Sequence, residues 1–96
     1  MKKFLILFHD QWQPDPEIMA AWQKWFAEVG DRFVDSGNPF GGGVEVSRSD
    51  SRPLGPADTP ATGYAIVTAD SLEAAQGLLE GCPFSTAVRV YPAMAM

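Results

Sequence analysis

The chain has 96 residues, a net charge of −5 and a pI near 4.5, so its seven scattered Lys and Arg residues cannot form the basic stripe that nucleic acid or an anionic membrane surface requires. At 46% hydrophobic and 11% aromatic residues it is too apolar for disorder. A single domain of this length buries only about 60–65% of its unfolded surface, which leaves a thin core unless another chain adds to it.

Phe4 to Phe8 is continuously apolar and reads as a strand covered on both faces. One helical layer covers one face, so the other calls for a partner, most simply a second copy. The preceding Met1-Lys2-Lys3 superficially suggests a signal peptide. The apolar run stops after five residues at His9-Asp10, no small-residue cleavage site follows, and a buried strand fits better. No segment has the length and apolarity of a membrane span. Cys82 is the only cysteine, so an internal disulfide is excluded and the expected location is the cytoplasm.

The first helix is expected over residues 16–36. Asp15 is a plausible N-cap, Pro16 suits the first helical position, and Glu17 favours the positive end of the macrodipole. Ile18, Trp22, Trp25, Phe26, Val29 and Phe33 then fall on one stripe at helical period, and Gly37 is a natural terminator. Val44 and Val46 alternate with Glu45 and Ser47 as a half-exposed strand, and residues 49–62 read as a long mobile connection. Gly63 to Ala69 is a strand. Asp70-Ser71-Leu72-Glu73 has capping-box spacing and starts a second helix over 71–81, with Leu72, Ala75, Leu79 and Cys82 on its apolar stripe. Gly81 and Pro83 end it before a last strand, Ala87 to Tyr91. The order βαββαβ implies an α+β fold, a ferredoxin-like α/β plait with both helices on one face of an antiparallel sheet.

The chain resembles the YCII-related family, which includes YciI-like and DGPF-domain proteins. The resemblance covers nearly its whole length. It rests on the Met1–Phe8 strand, Trp22-x-x-Trp25-Phe26, Asp35-x-Gly37-x-Pro39-Phe40, Gly63-Tyr64, Ala69-x-Ser71-Leu72-x-x-Ala75, Cys82-Pro83 and Val90-Tyr91 with Met94-x-Met96 after it. It implies a dimeric α/β barrel in which two plaits pack sheet to sheet. The first helix lacks the histidine of YciI-like members, Cys82 replaces the aspartate before the proline, and the Asp-Gly-Pro-Phe motif is missing. The catalytic dyad proposed for that family therefore does not carry over.

Six residues are candidates for a ligand site. His9 and Asp10 follow the first strand at its carboxyl end, and His9 could serve as general base or bind an anion, with Tyr64 or Arg89 as neighbour. Trp12, in a Pro-flanked loop outside any periodic pattern, could touch a ligand or the partner chain. Arg89 and Tyr91 face opposite to Val88 and Val90, toward the inter-sheet space of a dimer. Trp22, Trp25 and Phe26 could roof an aromatic cavity, although their spacing reads first as helix-to-sheet core. Gly41-Gly42-Gly43 lacks the Lys-Ser/Thr of a phosphate cradle and reads as a turn. Cys82 reads as a buried inert thiol. One histidine and one cysteine build no zinc site, and neither metal nor cofactor is expected. The expected function is a homodimer holding a small metabolite in a barrel pocket. The alternatives are a small lyase, isomerase or hydrolase using His9 on a small polar substrate, and a non-catalytic interaction or structural module.

Overall fold

The central strand of the sheet is β1, Lys2–Phe8, which alternates strictly: Phe4, Ile6 and Phe8 are buried while Leu5 and Leu7 are half-buried on the opposite face. The computed structural model describes residues 1–9, 15–84 and 87–94. β1 pairs antiparallel with β5, Gly63–Ala69, on one side and with β6, Val88–Pro92, on the other. β2, Phe33–Asp35, extends the sheet beyond β5, giving the order β2-β5-β1-β6. The fold is α+β, with a four-stranded antiparallel sheet and two helices.

Helix α1, Pro16–Val29, starts as its caps require. The Asp15 carboxylate accepts from the Glu17 N–H at 2.8 Å, and Pro16 occupies the first turn. Trp22, Trp25 and Val29 are its buried residues. Ile18, expected on the same stripe, is exposed. The helix stops seven residues before the expected end. Gly30 adopts φ 57, a left-handed conformation open to glycine, and a 3-10 turn over Gly30–Arg32 leads into β2. Phe33 continues the helical period in sequence but reaches the same core from a strand.

Two further expectations are corrected. Val44–Val46, here β3, lies outside the main sheet and pairs only with β4, Ser51–Pro53, so both valines remain exposed. Residues 49–62 are accordingly not a plain connection, since they hold β4 and a 3-10 turn over Pro56–Asp58. Arg52 binds this arm together, donating to Glu45 at 3.2 Å and to both Asp58 oxygens at 3.0 and 2.9 Å. Helix α2, Leu72–Gly77, is shorter than expected. Ser71 rather than Asp70 caps it, accepting from the Ala74 N–H at 3.1 Å. Leu72 is exposed, and Ala75 is its buried residue.

The core lies between the helices and one face of the sheet. Phe4, Ile6, Phe8, Ala65, Val67 and Ala69 meet Trp22, Trp25, Val29 and Ala75 in a single cluster. The other face carries the rows Tyr64–Leu7–Arg89 and Ile66–Leu5–Tyr91, set by the registers of β1 with β5 and β6. No helix covers it. The molecule is only 18 Å thick, and its radius of gyration of 14.6 Å exceeds the roughly 12.5 Å of a compact chain this long.

Candidate functional site

The carboxyl ends of β1 and β2 and the stretch of α1 from Met19 to Phe26 enclose a cavity of about 410 Å³, partly open to solvent. Its walls come from the aromatic residues that also build the core. Phe8 ends β1, Trp22 and Phe26 descend from α1, and Phe33 opens β2. The rings are locked by mutual contact. Phe8 meets Trp22 edge-on at 5.2 Å between centroids, Trp22 meets Phe26 at 6.1 Å, and Phe26 meets Phe33 at 5.6 Å. Met19, largely exposed on α1, stands at the edge.

The remaining wall is the turn Ser36 to Pro39 and the start of β5 at Gly63 and Tyr64. Gly37 makes this turn possible. Its φ is 80, and a Cβ at this position would overlap the Tyr64 carbonyl. The Gly37 N–H donates to Asp35 Oδ1 at 2.8 Å, and Pro39 bridges to Gly63. The Tyr64 hydroxyl donates to Asp35 Oδ2 at 2.6 Å, while Phe40 stacks on the Tyr64 ring at 5.6 Å and 15°. The Tyr64 hydroxyl, and secondarily the Gly37 N–H, hold the Asp35 carboxyl below its ordinary pKa. The Tyr64 phenol is pushed up by the same hydrogen bond, by desolvation and by the Asp35 charge, against an opposing hydrogen bond with Asn38.

His9 lies one residue beyond β1, its N–H bonded to the Ala87 carbonyl at 3.2 Å. Its Nδ1 is 3.0 Å from the Thr59 carbonyl oxygen, which can only accept, so Nδ1 carries the proton and Nε2 is the lone pair of the neutral ring. That Nε2 is shielded from solvent and has no hydrogen-bond partner among the described residues. Thr59 presents its carbonyl from a left-handed conformation, φ 44, uncommon for a β-branched residue. His9 does not line the cavity.

Of the six candidate residues, Tyr64 alone among the described ones lines the cavity. Arg89 and Tyr64 lie on either side of Leu7, two strand spacings apart, about 9.5 Å across the sheet. Tyr91 is half-exposed one row further along, opposite Leu5. Asp10 and Trp12 fall outside the described residues. The cavity adds Met19, Phe33, Ser36, Gly37, Asn38 and Pro39, none of which carries a titratable side chain. The available signal was Ser-Gly-Asn-Pro placed directly after an aromatic period. Cys82 is half-buried beside the core. Among the described residues, no group of three or more His, Cys, Asp or Glu side chains could hold a metal, and no helix is long and apolar enough to cross a membrane.

No family model, curated protein or solved structure matches the chain.

Proposed function

We propose that the chain is a cytoplasmic small-molecule-binding protein of the YCII-related type, a ferredoxin-like plait that pairs with a second copy into a dimeric α/β barrel. The aromatic cavity at the carboxyl ends of β1 and β2 carries the binding part of this reading. Its volume lies within the range of roughly 300–1,000 Å³ common to ligand sites, and its apolar walls with a few polar groups at one end match their usual chemistry. The strand order, the antiparallel pairing and the helices on one face support the plait. The open face supports the dimer. The surface is 6892 Å², against about 5,400 Å² for a compact monomer of this mass, and the excess is larger than the roughly 800 Å² each partner of a stable complex buries.

His9 donates to the Thr59 main-chain carbonyl and stands outside the cavity lining, so the cavity's own residues rather than His9 carry this reading. Binding is the favoured role.

The neutral fluorophore N-phenyl-1-naphthylamine tests the cavity. Saturable enhancement at one equivalent per chain, with amide shifts at Gly37 and Gly63, is expected. Absence of saturation at millimolar probe would remove the binding claim. Light scattering tests the pairing independently. A mass near twice 10.4 kDa is expected, falling to 10.4 kDa for Leu5→Glu, whose carboxylate would be buried between sheets beside Ile66 and Tyr91 with no cation directly opposite. A monomeric parent chain at micromolar concentration would refute the dimer.

A further inference from the structure

The charge pattern around the cavity restricts what can enter it. Phe8, Trp22, Phe26 and Phe33 supply its walls, and no Lys, Arg or His among the described residues lines it. The charge at its border is the Asp35 carboxylate, held by two of the lining residues, Gly37 and Tyr64. An anionic ligand would lose its hydration among carbon atoms, gain no counter-charge, and stand near a like charge. An ammonium ligand inside the cavity would not reach the Asp35 carboxylate, which stands outside the lining, and would have only ring faces to offset its lost hydration. Among the described residues, the polar side chains of the lining include, besides the Tyr64 hydroxyl already committed to Asp35 and the Trp22 indole, Ser36 and Asn38, both on one turn. Between them they offer a hydroxyl and, beyond the bond Asn38 already makes to Tyr64, the rest of an amide that can donate or accept.

We propose that the cavity binds an uncharged one- or two-ring compound with a single hydroxyl or carbonyl end. The ring packs among Trp22, Phe26 and Phe33, and the polar end meets Ser36 and Asn38. This assignment rests on the reading of the cavity as a small-molecule site, and it names the chemistry that site selects. Phosphorylated sugars, nucleotides and carboxylic acids are excluded as ligands by the same pattern.

Three naphthalenes of one shape and different charge separate the possibilities: 2-naphthol, 2-naphthoate and 2-naphthylmethylammonium. Affinities are read at neutral pH from tryptophan emission, and the site is located from the amide shifts of Gly37 and Gly63. Binding of 2-naphthol at least tenfold tighter than of either ion is expected. The exposed Met19 at the cavity edge provides the control, since Met19→Lys adds a cation without disturbing a buried side chain. That variant should raise the affinity for 2-naphthoate relative to 2-naphthol at least fivefold. Equal or tighter binding of an ion to the parent protein, or an unchanged ratio in M19K, would overturn the ligand class while leaving the cavity a binding site. If none of the three shifts Gly37 or Gly63, the cavity is not a ligand site and both readings fall together.

Discussion

The indole of Trp25 donates its Nε1–H to the Leu78 carbonyl oxygen at 2.7 Å, tying the centre of α1 to the residue that ends α2. Leu78 presents one of the carbonyls that a helix end leaves without an intrahelical partner, and Trp25 is buried to 1% exposure. The bond joins the two helices across 53 residues of chain.

Trp25→Phe keeps most of the ring contacts and removes that donor. The Leu78 carbonyl would then be left unsatisfied, at a cost of about 1–3 kcal/mol. Urea denaturation should show a lower midpoint with an unchanged slope. An unaltered midpoint would mean that water replaces the indole without penalty.

Gly37→Ala is expected to be more damaging. A methyl group here collides with the Tyr64 backbone, which cannot yield as a flexible side chain would, and the positive φ adds strain. A loss of at least about 2 kcal/mol is expected, together with faster amide exchange around Gly63 as the Pro39 bridge opens. Stability equal to the parent would show that the turn re-forms elsewhere.

The Arg52 cluster makes the stability of the β3–β4 arm depend on acid. Asp58 is held down to about 2, first by its hydrogen bonds from Arg52 and then by the Gly55 N–H. Because its folded pKa is depressed, its contribution is fully present above the ordinary aspartate value of about 3.9 and is lost as pH falls through about 2. The carboxyl resonance of Asp58 should titrate accordingly and move toward the ordinary range in Arg52→Ala. Titration near the ordinary value in the parent protein would break the assignment.

Tyr64→Phe isolates the other carboxylate. With the hydroxyl gone, the Asp35 pKa should rise toward its ordinary value, since that bond is the largest cause of its depression. The stability tied to Asp35, present above the ordinary pKa and lost as pH falls below it, should shrink in the variant. An unmoved Asp35 resonance would assign the effect to the Gly37 N–H instead.

His9 is the single histidine, so its ring nitrogens can be observed without overlap. The neutral ring should carry its proton on Nδ1, facing the Thr59 carbonyl, with Nε2 bare. Nitrogen chemical shifts showing the opposite tautomer would contradict the contact.

The sequence carried the start of each helix, the strand at Gly63–Ala69 and the central place of β1, because caps and alternation are local signals. The end of α1 was hidden by coincidence. Phe33 falls where a helical stripe would put it, yet it meets Trp25 at 5.5 Å from the neighbouring strand. Val44 and Val46 alternate as sheet residues should, but the strand they pair with is the short Ser51–Pro53 and not the main sheet. The cavity was hidden for a related reason. Trp22 and Phe26 satisfy the period of a core, and periodicity cannot say that one side of a packed ring is left open. His9, Tyr64 and Arg89 were legible as polar residues near strand ends, but which of them meet depends on register across three strands.

The close passage of Gly37 over the Tyr64 backbone has an evolutionary consequence. The constraint is between main-chain atoms and is indifferent to which ligand is held, so it should outlast changes of specificity. Distant relatives with no recognisable overall likeness should still place a glycine two residues after the acidic end of a short strand, opposite the start of the next central strand. A profile weighted on that glycine and on the Asp35 and Tyr64 positions would find them more efficiently than one weighted on the aromatic core, where Leu, Met and Phe exchange freely.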